Sequence, residues 1–243
     1  MRQQVETDSP LMRKLIREYI PQANEHCQYQ FVRYYELLID YNNRMNLTAI
    51  TDFKEIVQKH FIDSAAYVFL PDVSRETSEE YMIDVGTGAG FPGLVLKIVF
   101  PNLKVTLVDS LNKRIIFLKS VIEKLNLKGI DAIHERIEDY AKTSRESFDI
   151  VTSRAVASLP VLSEMCIPLV CEKGLFIPMK ADAKDEIKSS QNAIKTLGGV
   201  LRDTILFKLP KDAGERTLII IEKINKTSVK YPRKFSEIKK KPL

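Results

Sequence analysis

The residues richest in chemistry form one block, Met82-Ile83-Asp84-Val85-Gly86-Thr87-Gly88-Ala89-Gly90-Phe91-Pro92-Gly93. A short apolar run suited to a buried strand passes straight into glycines, and Leu94, Val95, Leu96, Ile98 and Val99 then begin a helix. Glycines at a strand-to-helix turn permit positive φ and let a ligand approach bare backbone. The block also contains the dinucleotide pattern G-x-G-x-x-G, from Gly88 to Gly93. Asp84 favours a different ligand. A pyrophosphate turn has no use for a carboxylate at the strand end, because it would repel the anion that the helix N-terminus holds. An acid there suits a cation.

S-adenosylmethionine carries an ammonium and a sulfonium, and Asp84 is placed to engage it directly or through water, beside the loop amides of Gly86, Gly88, Gly90 and Phe91. Lys104 to Val108 reads as a second strand ending in Asp109. An acid at that point suits a bidentate hydrogen bond to ribose hydroxyls in any nucleoside cofactor, and a cap for the helix that follows is its other reading. After a third strand, Arg136, Ile137 and Glu138 stand where an adenine would lie. A fourth strand delivers Arg154 to its end, to hold a phosphate, a nucleobase edge or the cofactor carboxylate, or else to make a surface salt bridge. Lys180 follows the next strand in the same manner. No carboxylate pair or histidine-nucleophile arrangement demands acid-base work. Arg154 and Arg136 are therefore expected to orient reactants, and an ionised Asp84 to favour positive charge passing from sulfur to the acceptor.

These residues need a sheet to carry them. The pattern predicts strands at 81–85, 104–108, 130–134, 148–152 and 174–179, with helices from 92, over 113–125, 160–170 and 183–197. That alternation indicates a parallel sheet covered on both faces. Val200 to Leu209 and Arg216 to Lys223 then follow with no room for a helix, and predict a terminal antiparallel pair. The expected fold is α/β, a doubly wound seven-stranded, mostly parallel sheet of the class I methyltransferase, Rossmann-like kind. Helical spacing of Leu11, Leu15, Ile16 and Tyr19, and of Phe31, Tyr34, Tyr35, Leu38 and Ile39, predicts two N-terminal helices, and Asp52 with Glu55 signals a third. The expected organisation is an N-terminal helical extension with its linker (1–80), a cofactor-binding domain (81–223) and a basic tail (224–243). Asn42 to Thr48 reads as a polar turn that either reaches the cofactor mouth or satisfies its own backbone. His60 and Asp63 share a helical face, where bonding to each other or to a carbonyl is the expected use.

No apolar run approaches a membrane span, and the polar N-terminus lacks a secretory signal's apolar stretch. Three cysteines without a C-x-x-C pair suggest reduced thiols, and three scattered histidines give no metal-ligand spacing. The expectation is a cytoplasmic protein with no metal and no membrane. Net charge is +5. Its excess lies at the end of the chain, where Lys223, Lys226, Lys230, Arg233, Lys234, Lys239, Lys240 and Lys241 meet only Glu237. With Tyr231 and Phe235 among them, such a segment suits a phosphate backbone and stacking on bases, and a merely solvated end is the other reading.

Taken together, Asn46-Leu47-Thr48, His60 with Asp63-Ser64, the glycine block with Phe91-Pro92-Gly93, Leu107-Val108-Asp109-Ser110, Lys113-Arg114, Arg136 with Glu138, Ser153-Arg154-Ala155, Gly214-Glu215-Arg216 and Tyr231-Pro232-Arg233 resemble the bacterial 16S rRNA guanine-N7 methyltransferase family, once called glucose-inhibited division protein B. The resemblance implies that Gly86, Phe91, Ile137, Glu138 and Arg154 contact S-adenosylmethionine, with Asp109 nearby. It implies a guanine of 16S ribosomal RNA, in the small ribosomal subunit, as acceptor. RNA contacts are expected from Lys113, Arg114, Lys180, Tyr231, Arg233 and Lys234. Ala181 and Phe235-Ser236 depart from the family's glycines, both on the substrate side. Two other functions fit parts of the pattern: a non-catalytic RNA-binding assembly factor on the same scaffold, and a nicotinamide-dependent oxidoreductase resting on the literal G-x-G-x-x-G.

Overall fold

The computed structural model describes residues 2–69 and 80–243, with side chains from Ser9 to Val68 in the first segment. The expected linker, apart from Glu80, lies outside the described residues. The chain opens with α1 (Arg2–Tyr19) and α2 (Glu25–Met45), followed by α3 (Phe53–Ile56), which runs into a π-helical turn over Val57–Ile62. Asn24 caps α2 by accepting from the Cys27 amide at 2.9 Å. Asp52 caps α3 through the Glu55 amide at 3.0 Å, but Glu55 pairs with Lys59 instead of reaching back, so only half of a capping box forms.

Five parallel strands follow, each but the third and fourth separated as the pattern predicts: β1 (Tyr81–Val85), β2 (Lys104–Asp109), β3 (Ile130–His134), β4 (Phe148–Arg154) and β5 (Val170–Lys180). The connecting helices are α4 (Gly93–Val99), α5 (Asn112–Lys124), α6 (Ile137–Thr143) and α7 (Leu159–Cys166). The short helix α6 is absent from the pattern reading. Only Ala141 is fully buried in it, so it has no apolar stripe to betray it. The helix expected over 160–170 stops earlier, at Cys166, and β5 begins at Val170 rather than 174, the stretch between being a 3₁₀ turn around Pro168.

After α8 (Lys184–Thr196), β6 (Gly199–Lys208) and β7 (Glu215–Lys223) form the expected antiparallel pair, and β7 inserts between β5 and β6 to give the order β3-β2-β1-β4-β5-β7-β6. The order reverses between β1 and β4. The crevice at the carboxyl ends of those strands is where open α/β sheets bind ligands. The basic tail ends in a short helix, α9 (Phe235–Lys240). No described helix is long and apolar enough to cross a membrane.

Alternation along β1 distributes its side chains between two cores: Met82 joins the layer shared with the N-terminal helices, and Ile83 and Val85 join the layer under α7 and α8. Helix α4 is apolar nearly all round and buried throughout. Its sequence makes sense only with α2 on its outer side, where Cys27 Sγ donates to the Ile98 carbonyl at 3.1 Å. Even Lys97 is buried in it, spending its ammonium on the carbonyls of Pro101 (2.7 Å) and Leu103 (2.5 Å), and burial lowers its pKa to about 8. The helical extension and the sheet thus share one continuous core.

Gly90 sits where this shared core is tightest. At φ +101°, a Cβ there would lie 2.7 Å from Tyr34 Oη and 2.9 Å from Leu94 Cβ, whereas a Cβ at Gly88 would meet nothing within 4 Å. Gly90→Ala is expected to lower stability by about 2–5 kcal/mol, combining overpacking with left-handed strain. Gly88→Ala should cost only the strain, about 1–2 kcal/mol. Urea denaturation of both variants checks this, and equal midpoints would refute the packing assignment.

Candidate cofactor and catalytic site

The glycine loop is organised from below. Asp84 is fully buried and shares the face of Met82, and its Oδ2 accepts from Thr87 Oγ1 (2.7 Å) and from the Gly93 amide (2.8 Å). One oxygen therefore grips both ends of the loop. Gly93 has no alternative, because a Cβ there would lie 2.8 Å from Asp84 Cβ and 2.5 Å from Leu107 Cδ2. The other carboxylate oxygen, Oδ1, is buried without a partner. Burial pushes the Asp84 pKa up to about 6, against the two hydrogen bonds and the Arg154 charge, which lower it. The expectation that Asp84 engages the cofactor from the cleft is corrected: its side chain lies beneath the loop, because strand alternation turns it toward α4.

The cleft itself opens at the carboxyl ends of β1, β2 and β3, with a volume of about 150 Å³. Gly86, Asp109, Arg136, Ile137 and Glu138 line it. Asp109 is engaged by the backbone on both sides: Oδ1 accepts from the Leu111 amide at 2.9 Å, at the entrance to α5, and Oδ2 accepts from the Gly88 amide at 3.0 Å. The α-carbon of Gly88 faces open space. The residues here suit an adenosine-bearing cation: an acid at the β2 end for hydroxyls, an apolar slot formed by Ile137, Val156, Met165 and Phe235 for a flat ring, and three acids (Asp109, Glu135, Glu138) against one base, Arg136.

Gly90, Phe91 and Arg154 do not line the cleft. Phe91 is 5 % exposed and turns toward the N-terminal helices, where it stacks on His60 (centroids 4.5 Å apart) and packs near Tyr34 (5.6 Å). Arg154 lies over the same ring, its Cζ 5.1 Å from the centroid, and donates to Asp63 Oδ2 (2.9 Å) and the Lys59 carbonyl (3.0 Å). His60 Nδ1 stands 3.3 Å from Arg154 Nη2, and His60 Nε2 bonds Thr48 Oγ1 at 3.0 Å. Asp63 also pairs with Arg216 at 3.2 Å. His60 and Asp63 do not bond each other as expected; both turn to Arg154, because the π-helical turn carries them to the end of β4. The Asn42–Thr48 turn does two jobs: Asn42 Oδ1 accepts from the amides of Leu47 (2.7 Å) and Thr48 (2.8 Å), which presents Thr48 to His60. Burial and the Arg154 charge lower the His60 pKa to about 4.

Four of the six expected RNA contacts are engaged within the fold. Arg114 donates to Asp109 at 2.9 Å, and Lys180 pairs with Glu186 (2.8 Å) and donates to the Ala157 carbonyl (2.6 Å). Tyr231 is buried in the core under α7, unavailable for stacking on a base. Arg233 donates through its backbone amide (3.0 Å), Nε (2.8 Å) and Nη2 (2.5 Å) to Glu164, which is fully buried. Lys113 and Lys234 are exposed, Lys113 resting on the Met45 carbonyl at 2.8 Å. The tail is therefore a folded strap, with Lys226, Lys230, Lys234, Lys239, Lys240 and Lys241 among its exposed residues. Lys223, counted with that polycation, is buried with Glu146 at 3.3 Å. The sequence reading also passed over Glu164, a lone acid in the otherwise apolar helix Leu159–Cys166; a charge in such a run requires a buried partner, and that was the available signal. Among the described residues, no group of three or more histidine, cysteine or acidic side chains could hold a metal ion.

A seven-stranded sheet with an antiparallel last strand pair, a glycine loop after β1 and an acid at the end of β2 defines a class I, Rossmann-like methyltransferase. A solved variant of the 16S rRNA (adenine(1408)-N(1))-methyltransferase of Catenulisporales acidiphilia shares the fold, with TM-score 0.52 and 13% identity over 63% of this chain and 88% of that one. The family model for rRNA small subunit methyltransferase G matches residues 27–215, and the chain belongs to that family. Similar relatives are the ribosomal RNA small subunit methyltransferase G of Staphylococcus saprophyticus, 50% identical over 91% of this chain and 92% of its own, and that of Geobacillus kaustophilus, 52% identical over 88% and 90%.

Asp84 and His60 give stability opposite pH dependences. The raised Asp84 pKa means the folded state holds the extra proton between about 4 and 6, so this contribution is lost as pH rises through about 6. The lowered His60 pKa makes its contribution full above about 6.5 and lost as pH falls toward 4. Relative to the parent, Asp84→Asn should gain stability from pH 4 to 6.5, by on the order of 3 kcal/mol, and His60→Gln should lose it. Denaturant titrations across that range check both signs; parallel curves would refute the burial-driven shifts of the two groups.

Proposed function

We propose that this protein transfers the methyl group of S-adenosylmethionine to N7 of a guanine in small-subunit (16S) ribosomal RNA, in the cytoplasm. The observation that carries the reading is the cleft, where the Gly86 backbone, the Asp109 carboxylate and the Ile137–Glu138 corner converge at the point where strand order reverses. The names borne by relatives of about half identity over nearly the whole chain support the acceptor.

Bound S-adenosylmethionine supplies an electrophilic methyl group on a sulfonium. Asp109 and the backbone at Gly86 and Gly88 would hold its nucleoside, and Ile137 and Glu138 its base. Guanine N7 is a lone pair in the neutral base, so the chain has no proton to remove, consistent with a His60 held neutral by its low pKa. Its task is alignment, which contributes up to about 7–11 kcal/mol in favourable cases. Arg154 acts as a positioning residue: by tying Asp63 and the Lys59 carbonyl to the ring of Phe91, it fixes the loop against the N-terminal helices. The exposed Lys113, Lys234 and Arg136 remain as phosphate contacts.

Incubation with tritiated S-adenosylmethionine and small subunits lacking this modification, followed by nucleoside analysis, should place label in 7-methylguanosine. Cofactor binding without label would favour the assembly-factor reading. Arg154→Ala is expected to reduce turnover about 100-fold, the cost of a misplaced reactant, with S-adenosylhomocysteine affinity nearly retained. Unchanged turnover in this variant would remove the positioning role.

A further inference from the structure

The C-terminal strap brings an aromatic ring to the cofactor cleft. Phe235, the first residue of α9, lines the cleft beside Ile137, Val156 and Met165. The strap is held to the body of the fold at two arginines on its approach to Phe235. Arg145 donates to the carbonyls of Thr227 (2.7 Å), Ser228 (3.3 Å) and Tyr231, fixing the approach. Arg233 closes on the buried Glu164, the neighbour of cleft-lining Met165, and its Nη2 also donates to the Lys241 carbonyl at 3.1 Å, so one guanidinium ties both ends of α9 to α7.

We infer that Phe235 forms a wall of the nucleoside pocket, packing its ring on the cofactor's adenine, and that the Arg233–Glu164 latch holds it there. The inference rests on the cofactor reading above. A half-buried aromatic ring beside three apolar side chains gives a flat base a complementary surface, and a planar ring of this kind favours stacking over hydrogen-bond readout. Arg233 touches no ligand and acts through Phe235. Its two-point hold on a carboxylate needs the guanidinium fork, which lysine cannot supply. A charge-rich segment that reads as an RNA tail thereby becomes part of the small-molecule site.

The test is calorimetric titration of the full chain with S-adenosylhomocysteine and, separately, adenosine. Phe235→Ala should weaken both by about 10- to 100-fold, the range of one base–aromatic stack; Phe235→Trp should retain the parent affinity, and Phe235→Leu, which keeps apolar bulk without a ring, should fall between. Arg233→Lys should weaken both by about threefold or more with a little-changed melting temperature. A flat Phe235 series in a parent that binds tightly overturns the wall, and an unaffected Arg233→Lys overturns the latch. A parent that binds neither probe defeats the cofactor reading itself, a result distinguishable from both.

Discussion

The structure depends on a single buried carboxylate. Asp84 is placed at the end of the central strand with one oxygen holding Thr87 and Gly93 together and the other unpartnered, so a costly group is retained inside the protein to fold a loop. The loop's course then fixes everything attached to it. Gly86 presents backbone to the cleft, the Gly88 amide is held by Asp109, Gly90 passes under Tyr34, and Phe91 is directed away into the N-terminal helices. The same short segment therefore serves two sides: open backbone for a ligand on one, an aromatic anchor on the other.

The aromatic anchor explains why the helical extension is part of the catalytic body. Phe91 carries His60 on its face and Arg154 above it, and Arg154 reaches Asp63, which in turn pairs with Arg216 on β7. Residues from the π-helical turn, the glycine loop, β4 and β7 meet in one charged and aromatic cluster. Its charges are matched rather than solvated: an acid shared by two arginines, and a histidine kept neutral beside them. The arrangement ties distant parts of the chain to a loop that must hold its shape when a large RNA docks.

Much of this was legible in the sequence, and the failures are instructive. The strand–glycine–helix block, the acid at Asp109 and the corner at Ile137 and Glu138 were readable because each depends on residue type at a fixed place along an element. The terminal hairpin was readable because two strand-like runs left no room for a helix. Direction was harder. Asp84 and Phe91 lie in the right segment but face away from the cleft, and pattern alone does not say on which side of a loop a side chain falls. The tail misled for another reason: composition counts charges without their partners, and Arg233, Lys180 and Arg114 each had an acid elsewhere in the chain waiting for it. Helix α6 escaped because it buries little.

Helix α4 carries a mechanical consequence. It leaves the glycine loop at Gly93 and is enclosed between the sheet and α2, with no solvent-facing side and an internal lysine tied to the turn beyond its end. A helix so confined can neither tilt nor slide without opening two packed layers at once. The floor of the cleft is thus stiff, whereas on its rim α6 has a single fully buried residue. A ligand in this cleft therefore meets a floor that does not adapt to it, so the fit has to be built into the loop before the ligand arrives.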